Sequence, residues 1–211
     1  MQWPILAGLP EEDVRRVLQL ARRRVFAPRE VVFHRGDPAD TLHLVHAGRF
    51  AVGINTPLGD TALLSIVGPG DCFGEIALLE PGPRSATVMA LERAETRSLH
   101  KLDVDALRAR HPAVGDVLAR ALAIRVRHLS DLLVEAYYVP AERRVLRRLT
   151  ELAAADSGIV ALTQEELAQM AGTSRATVNR VLREAQGRGE LALRRGSIEV
   201  LEAERLAARA S

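Results

Sequence analysis

LTQEELAQMAGTSRATVNRVLREAQ, residues 162–186, reads as two short helices joined by a tight turn. Thr163 suits an N-cap, and Glu166 three residues on completes a capping box. Leu167, Ala168 and Met170-Ala171 then make one apolar face. Gly172 ends this first helix, because a residue without Cβ takes the left-handed conformation that a tight turn needs. Thr173 or Ser174 caps the second helix, whose apolar side is Val178, Val181 and Leu182. Its other side carries Arg175, Thr177, Asn179, Arg180 and Arg183, donors suited to phosphates and base edges. One face for a core and one for a partner make the pattern of a helix-turn-helix DNA reader. The competing reading is an ordinary helical hairpin with a solvated arginine face.

At 211 residues the chain has room for two compact domains or one large one. With 47% hydrophobic and 27% charged residues it is globular rather than disordered. The net charge of only +2 leaves the local distribution to decide about nucleic acid. From Ser174 to Arg195 six arginines stand against Glu184 and Glu190, a net of +4. Cys72, the single cysteine, excludes an intrachain disulfide and any multi-cysteine metal or iron–sulfur site. No run reaches membrane-span length and the N-terminus lacks a basic-then-apolar signal, so a cytoplasmic chain without a membrane partner is expected.

Pro10 followed by Glu11, Glu12 and Asp13 suits a helix start. The stripe Val14, Val17, Leu18 and Leu20-Ala21 predicts a leading helix, with Arg22-Arg23-Arg24 as its solvated end and Trp3 as a packing anchor. From Val25 to Leu102 the period becomes strand-like in VVFH, TLHLVHAG, RFAVGI, ALLSIVG, ATVMAL and TRSLHKL. Turn signals at Gly36-Asp37-Pro38, Gly48, Gly59-Asp60, Gly68-Pro69-Gly70-Asp71 and Gly82-Pro83 separate these runs and predict a barrel or roll of short antiparallel strands.

The chemistry of this region lies in FGEIALL (73–79) and PRSAT (83–87). Gly74 lets a backbone approach something closely. Glu75 is a carboxylate in an apolar run and so needs a partner. Arg84 and Ser85 join a guanidinium fork to a hydroxyl, a set suited to one phosphate. A carboxylate for sugar hydroxyls and an arginine for a phosphate fit a nucleoside monophosphate. An internal Glu75–Arg84 salt bridge fits the same residues equally well.

Val31–Leu102 resembles the cyclic-nucleotide-binding β-roll of the CRP/FNR (catabolite activator and fumarate-nitrate regulator) family. The resemblance is carried by HRGDPADTLHLVHAGRFAVG, GPGDCFGEIALL and PRSAT. With the helix-turn-helix it covers nearly the whole chain in the same order. It implies an α+β architecture: an N-terminal antiparallel β-roll with its helix over 1–107, a long dimerisation helix over 108–138 and a C-terminal winged helix-turn-helix over 139–211. It implies a sequence-specific transcriptional regulator that binds double-stranded DNA as a homodimer and works with RNA polymerase. In the family's cyclic-AMP binders the positions matching Gly74 and Glu75 hold the ribose, and those matching Arg84 and Ser85 hold the cyclic phosphate. All four are retained, so cAMP is the implied effector. The family's Thr-Ser pair for adenine falls near His128 and Leu129, with Ser130 one further on, and is absent here. His128 and Ser130 remain as candidates for the base. The absence equally fits a member that works without an effector, its activity set by its abundance. By the same resemblance Arg175, Ala176 and Arg180 occupy the three base-reading positions, where relatives of the catabolite-activator type carry Arg, Glu and Arg.

From Asp103 to Tyr138 the apolar positions Val104, Leu107, Val114, Leu118, Leu122, Val126, Leu129, Leu133 and Ala136 predict a long helix. The steps of three and four from Leu118 make a narrow seam, as in a two-stranded coiled coil. Pro140 breaks this helix and is read as a hinge. In the helix beyond it, Arg143, Arg144, Arg147 and Arg148 are expected on a solvated face. Leu191–Val200 reads as a hairpin turning at Gly196, a wing with Arg194 and Arg195 placed for backbone phosphates. Ser174 and Thr177 are also read as phosphate contacts, with Thr173 and Asn179 beside them. Glu202–Ser211 is read as a polar helix or frayed end. No Ser-His-Asp set, metal-ligand cluster or phosphate-cradling glycine motif points to an enzyme. Haem sensing stays open on His34, His43, His46, His100 and His111, and Cys72 reads as a buried thiol rather than a redox sensor.

Overall fold

A computed structural model of the protein describes residues 3–7, 9–56, 61–80, 82–155 and 157–210. The expected turn at Gly59-Asp60 lies outside the described residues. Two compact units form, one from residues 1–54 and 64–128, the other from 55–63 and 129–211.

The first unit is an antiparallel roll. Helix α1 (Glu11–Leu20) leads into β1 (Arg22–Phe26), β2 (Val31–Phe33), β3 (Thr41–Ala47), β4 (Phe50–Asn55), β5 (Thr61–Val67), β6 (Cys72–Phe73), the short helix α2 (Ile76–Leu79), β7 (Thr87–Ala90) and β8 (Ala94–His100). Two four-stranded sheets result, ordered β1-β8-β3-β6 and β2-β7-β4-β5. Between them Phe26, Val45, Phe50, Phe73 and Val88 form one core. A second core joins Trp3, Val17, Leu44, Leu78, Leu99, Val104, Leu107, Val114 and Leu118. Each such side chain, fully buried, contributes about 1.5–3 kcal/mol. Trp3 is the anchor its sequence context predicts: it is buried, and its Nε1 donates to the Val45 carbonyl at 2.9 Å.

Arg22-Arg23-Arg24 departs from expectation. The helix stops at Leu20, and these arginines pair with Ser98, Arg97 and Thr96 of β8. Ladder partners on β8 for the backbone groups that face it outweigh the local helical pattern. The long helix is also divided. Lys101–Arg110 forms α3, and Ala113–Tyr138 forms α4 after a break at His111-Pro112, where proline disfavours the helical conformation of its predecessor. Val114 and Leu118, the first residue of the predicted seam, are buried in the roll's own core. Farther along, Val126, Leu129 and Leu133 are 62%, 40% and 56% exposed.

The second unit continues with α5 (Ala141–Ala155), β9 (Ile159–Val160), α6 (Gln164–Ala171), α7 (Arg175–Gly187), β10 (Leu191–Arg194), β11 (Ser197–Val200) and α8 (Ala203–Ala210). The strands form one sheet ordered β10-β11-β9. Val145, Leu149, Leu167, Val178, Leu182 and Leu206 are fully buried within this unit. The tail forms the helix that the sequence allows, mostly exposed but docked on one side. Leu206 and Ala210 are buried, and Arg209 pairs with the buried Glu190.

Of the solvated face expected on α5, Arg143 is exposed as predicted, but the other three arginines are engaged with the protein. Arg144 donates three hydrogen bonds to carbonyls: from Nη1 to Val139 at 2.7 Å, from Nε to Ala171 at 2.8 Å and from Nη2 to Gly172 at 2.9 Å. Arg147 donates to the Ala210 carbonyl at 2.7 Å and to Glu135 at 3.2 Å. Arg148 is buried and pairs with Glu135 and Glu151. Helix ends and an acidic neighbour across Pro140 supply acceptors that the amphipathic pattern of α5 does not reveal. These bonds brace the corner at Pro140, which lies inside the second unit.

Candidate functional site

Residues 73–87 form the turn-rich segment between β6 and β7, and it places the predicted effector residues. Gly74 takes φ +84°, a conformation that favours glycine. A Cβ there would lie 2.6 Å from Arg84 Nη1 and 2.8 Å from the Thr41 carbonyl oxygen. The close approach read from the sequence is thus to Arg84 itself. The Arg84 side chain enters the roll: Nη1 donates to the Thr41 carbonyl at 2.7 Å and Nη2 to the Thr41 hydroxyl at 2.6 Å. Its guanidinium lies 4.0 Å from the centre of the Phe33 ring. Asp40 is its nearest carboxylate, at 4.0 Å. Among the described residues its buried Nε has no hydrogen-bond partner. Burial, above all, lowers the Arg84 pKa, opposed by the charges of Asp40, Asp37 and Glu75. The Glu75–Arg84 salt bridge that the spacing allowed is not formed: the carboxylate that approaches Arg84 is Asp40's, and Glu75 stands at the start of α2.

Ser85 is exposed beside Arg84. His128 and Ser130 are exposed on α4, the first belonging to the roll unit and the second to the other. A cavity of about 970 Å³ opens along the edge strands β1 and β2, lined by Arg24, Phe33, Asp40, Thr41, His43 and Arg84 among others; Gly74, Glu75 and Ser85 do not line it. His43, which the sequence offers only as a haem ligand, stands on its wall. It is buried, with Nδ1 3.0 Å from the Thr96 hydroxyl and its ring stacked on Phe73 at 4.9 Å. Among the described residues no group of three or more His, Cys, Asp or Glu could hold a metal ion. Burial, then the charges of Glu75 and Asp71, push the half-buried Cys72 thiol up to about 12, which keeps it protonated at neutral pH. Thr41 and Phe33, the partners of Arg84, carry no local signal. Sheet pairing brings Thr41 across 43 residues of sequence.

The reading head forms as its caps predict. Thr163 and Glu166 make both bonds of the capping box, and Gly172 closes α6 at φ 58°, ψ 48°. Ser174, not Thr173, caps α7, its hydroxyl accepting from the Thr177 amide at 3.2 Å. Val178, Val181, Leu182 and Ala185 are buried, while Arg175, Ala176, Asn179 and Arg180 are exposed together. Thr173 and Thr177 are half-buried. The Thr177 hydroxyl is 3.0 Å from that of Ser174. Arg194 pairs with Glu199 at 3.0 Å on the wing, and Arg195 lies exposed in its turn. One feature of this face is invisible to spacing: Arg180 is bonded to Glu142 of α5.

No helix among the described residues is long and apolar enough to cross a membrane. Residues 23–111 match the cyclic nucleotide-binding domain model, and residues 143–209 match the Crp-like helix-turn-helix domain model. The chain is 36% identical over 190 residues to the CRP-like cAMP-activated global transcriptional regulator of Mycobacterium tuberculosis, covering 85% of this chain and 84% of that protein. It is 36% identical over 201 residues to the cyclic AMP receptor protein of Thermus thermophilus, covering 95% and 93% respectively. The crystal structure of the Thermus thermophilus catabolite activator protein superposes with a TM-score of 0.59 over 98% of each chain, at 36% identity. A cyclic-nucleotide-binding roll, a long helix and a Crp-like reading head in this order make the chain a member of the CRP/FNR family of transcriptional regulators.

Proposed function

We propose that this regulator is a cytoplasmic homodimer that reads a roughly palindromic double-stranded DNA site and is modulated by a cyclic nucleotide, cAMP, held in its roll. Residues 1–107 serve the effector, 108–138 the dimer and 139–211 the DNA. The observation that carries the effector half is the buried Arg84 guanidinium with its unpartnered Nε. A buried arginine whose nearest carboxylate, that of the exposed Asp40, stands 4.0 Å away is costly to hold, and an anionic ligand would offset that cost. Arg84 and the Ser85 hydroxyl would hold the phosphate, and Gly74 and the Glu75 carboxylate the ribose. His128 and Ser130 are the candidates for the base. The ligand supplies the negative charge; the chain supplies donors and excludes water. Relatives named as cAMP-activated and as a cyclic AMP receptor support cAMP.

Arg175 and Arg180 would each take a guanine bidentately, while Ala176 offers no acceptor to a cytosine amino group. One base pair per half-site should therefore be read differently than by relatives with Glu there. Ser174 and Thr177, flanked by Thr173 and Asn179, and Arg194 and Arg195 on the wing would contact phosphates. A second copy packed on the exposed seam of α4 would set two reading helices ~34 Å apart, one DNA turn. RNA polymerase is the partner through which such a regulator would act.

His128-Leu129, standing where a Thr-Ser pair would meet adenine, favours a second reading: the same DNA-binding dimer without an effector. Isothermal titration with cAMP and with cGMP, beside operator binding followed by fluorescence anisotropy, separates the two. Nucleotide binding that raises operator affinity supports the first. Full operator binding by the ligand-free dimer, with no heat from either nucleotide, overturns it.

A further inference from the structure

Arg180 does not stand free on the reading face. Its Nη2 donates to Glu142 Oε1 at 2.6 Å, and its Nη1 to Glu184 Oε1 at 3.4 Å. Glu184 lies one turn along α7, but Glu142 comes from the first turn of α5. The three side chains are about half exposed, at 52%, 53% and 44%. Water screens such pairs, so they contribute little to folding.

Two carboxylates beside a base-reading arginine face a polyanion, and each phosphate within the screening length of about 8 Å is repelled. They also compete for the donors that a phosphate would use. A guanine edge repays the exchange with two aligned acceptors, O6 and N7. A phosphate replaces one anion by another while bringing its charge against Glu142 and Glu184. Specificity can come from opposing the wrong partner as well as from rewarding the right one.

We propose that Glu142, assisted by Glu184, is a specificity guard for Arg180, holding its guanidinium so that a guanine edge, and not the phosphate backbone, draws it away. The inference rests on the reading of α7 as the DNA-reading helix. Glu142 is a positioning residue that acts through Arg180.

The test uses the full chain. The wild-type protein selects a duplex from a random pool. Dissociation constants for the selected and a scrambled duplex are then measured at one salt concentration for wild type, Glu142→Gln, Arg180→Ala and the double variant. Glu142→Gln should tighten binding to the scrambled duplex roughly threefold to tenfold, and to the selected duplex by less, so the specificity ratio falls. In the Arg180→Ala background the same substitution should change both duplexes by one factor and leave the ratio in place. A ratio that is unchanged or raised by Glu142→Gln, or that falls equally without Arg180, overturns the guard. A wild-type chain that selects no site, either alone or with saturating cAMP or cGMP, refutes the DNA-reading conclusion itself, a distinct result.

Discussion

His43 builds a pH-dependent cost into the roll. Burial above all, then the charges of Arg84 and Arg24, push its pKa from 6.5 down to about 3, against a smaller upward pull from Asp40. The folded chain keeps this ring neutral at pH values where the unfolded chain takes up a proton. Unfolding therefore binds a proton between those two values. The stability tied to neutral His43 is complete above the unfolded pKa and is lost progressively as pH falls toward the folded one. At about pH 5, some one and a half pH units below the unfolded value, the loss is about 2 kcal/mol relative to about pH 8. His43→Gln retains a polar side chain near Thr96 and removes the titration. Urea unfolding of both proteins at about pH 8, 6.5 and 5 measures the effect. With a slope of about 2 kcal/mol/M, acidification should move the wild-type midpoint about 1 M further than the variant's. Parallel pH profiles for the two proteins would refute the reasoning.

Arg84→Leu should abolish the calorimetric response to cAMP while sedimentation still reports a dimer; a retained response places the phosphate elsewhere. Leu133→Glu puts a charge on the exposed seam of α4, and sedimentation equilibrium should then find monomer at concentrations where wild type is dimeric. Glu135→Ala leaves the buried Arg148 without its inner carboxylate and should cost about 3 kcal/mol in urea unfolding. Glu151→Ala removes the exposed partner of Arg148 and should cost less than about 1 kcal/mol.

What was legible in the sequence was local. The reading head follows from the Thr163–Glu166 box, Gly172 and the apolar spacing of α7, all within one short stretch. The roll follows from alternation and turn residues, and Gly74 from its need for close approach. What was not legible depends on distant backbone. Arg22-Arg23-Arg24 looks like a helix end until β8 is present to pair with it. Arg144, Arg147 and Arg148 look solvated on an amphipathic helix because their acceptors, carbonyls at Val139, Ala171, Gly172 and Ala210 and the Glu135 carboxylate, are set by tertiary packing. Nor can a nine-residue spacing say whether Arg84 turns to Glu75 or to Thr41. The fold chose Thr41, because Gly74 opens the path and β3 presents a carbonyl and a hydroxyl together.

The braced corner at Pro140 bears on how the protein would respond to a signal. Arg144 fastens the chain just before the corner to the turn of the reading head, and Glu135 fastens α4 to α5 across it. A joint held by directional bonds has detents, whereas a greased bearing turns by degrees. Turning α7 against the end of α4 would require these bonds to break together, so the corner would move in steps rather than by degrees. Loosening it, as Glu135→Ala does, should make any such reorientation easier.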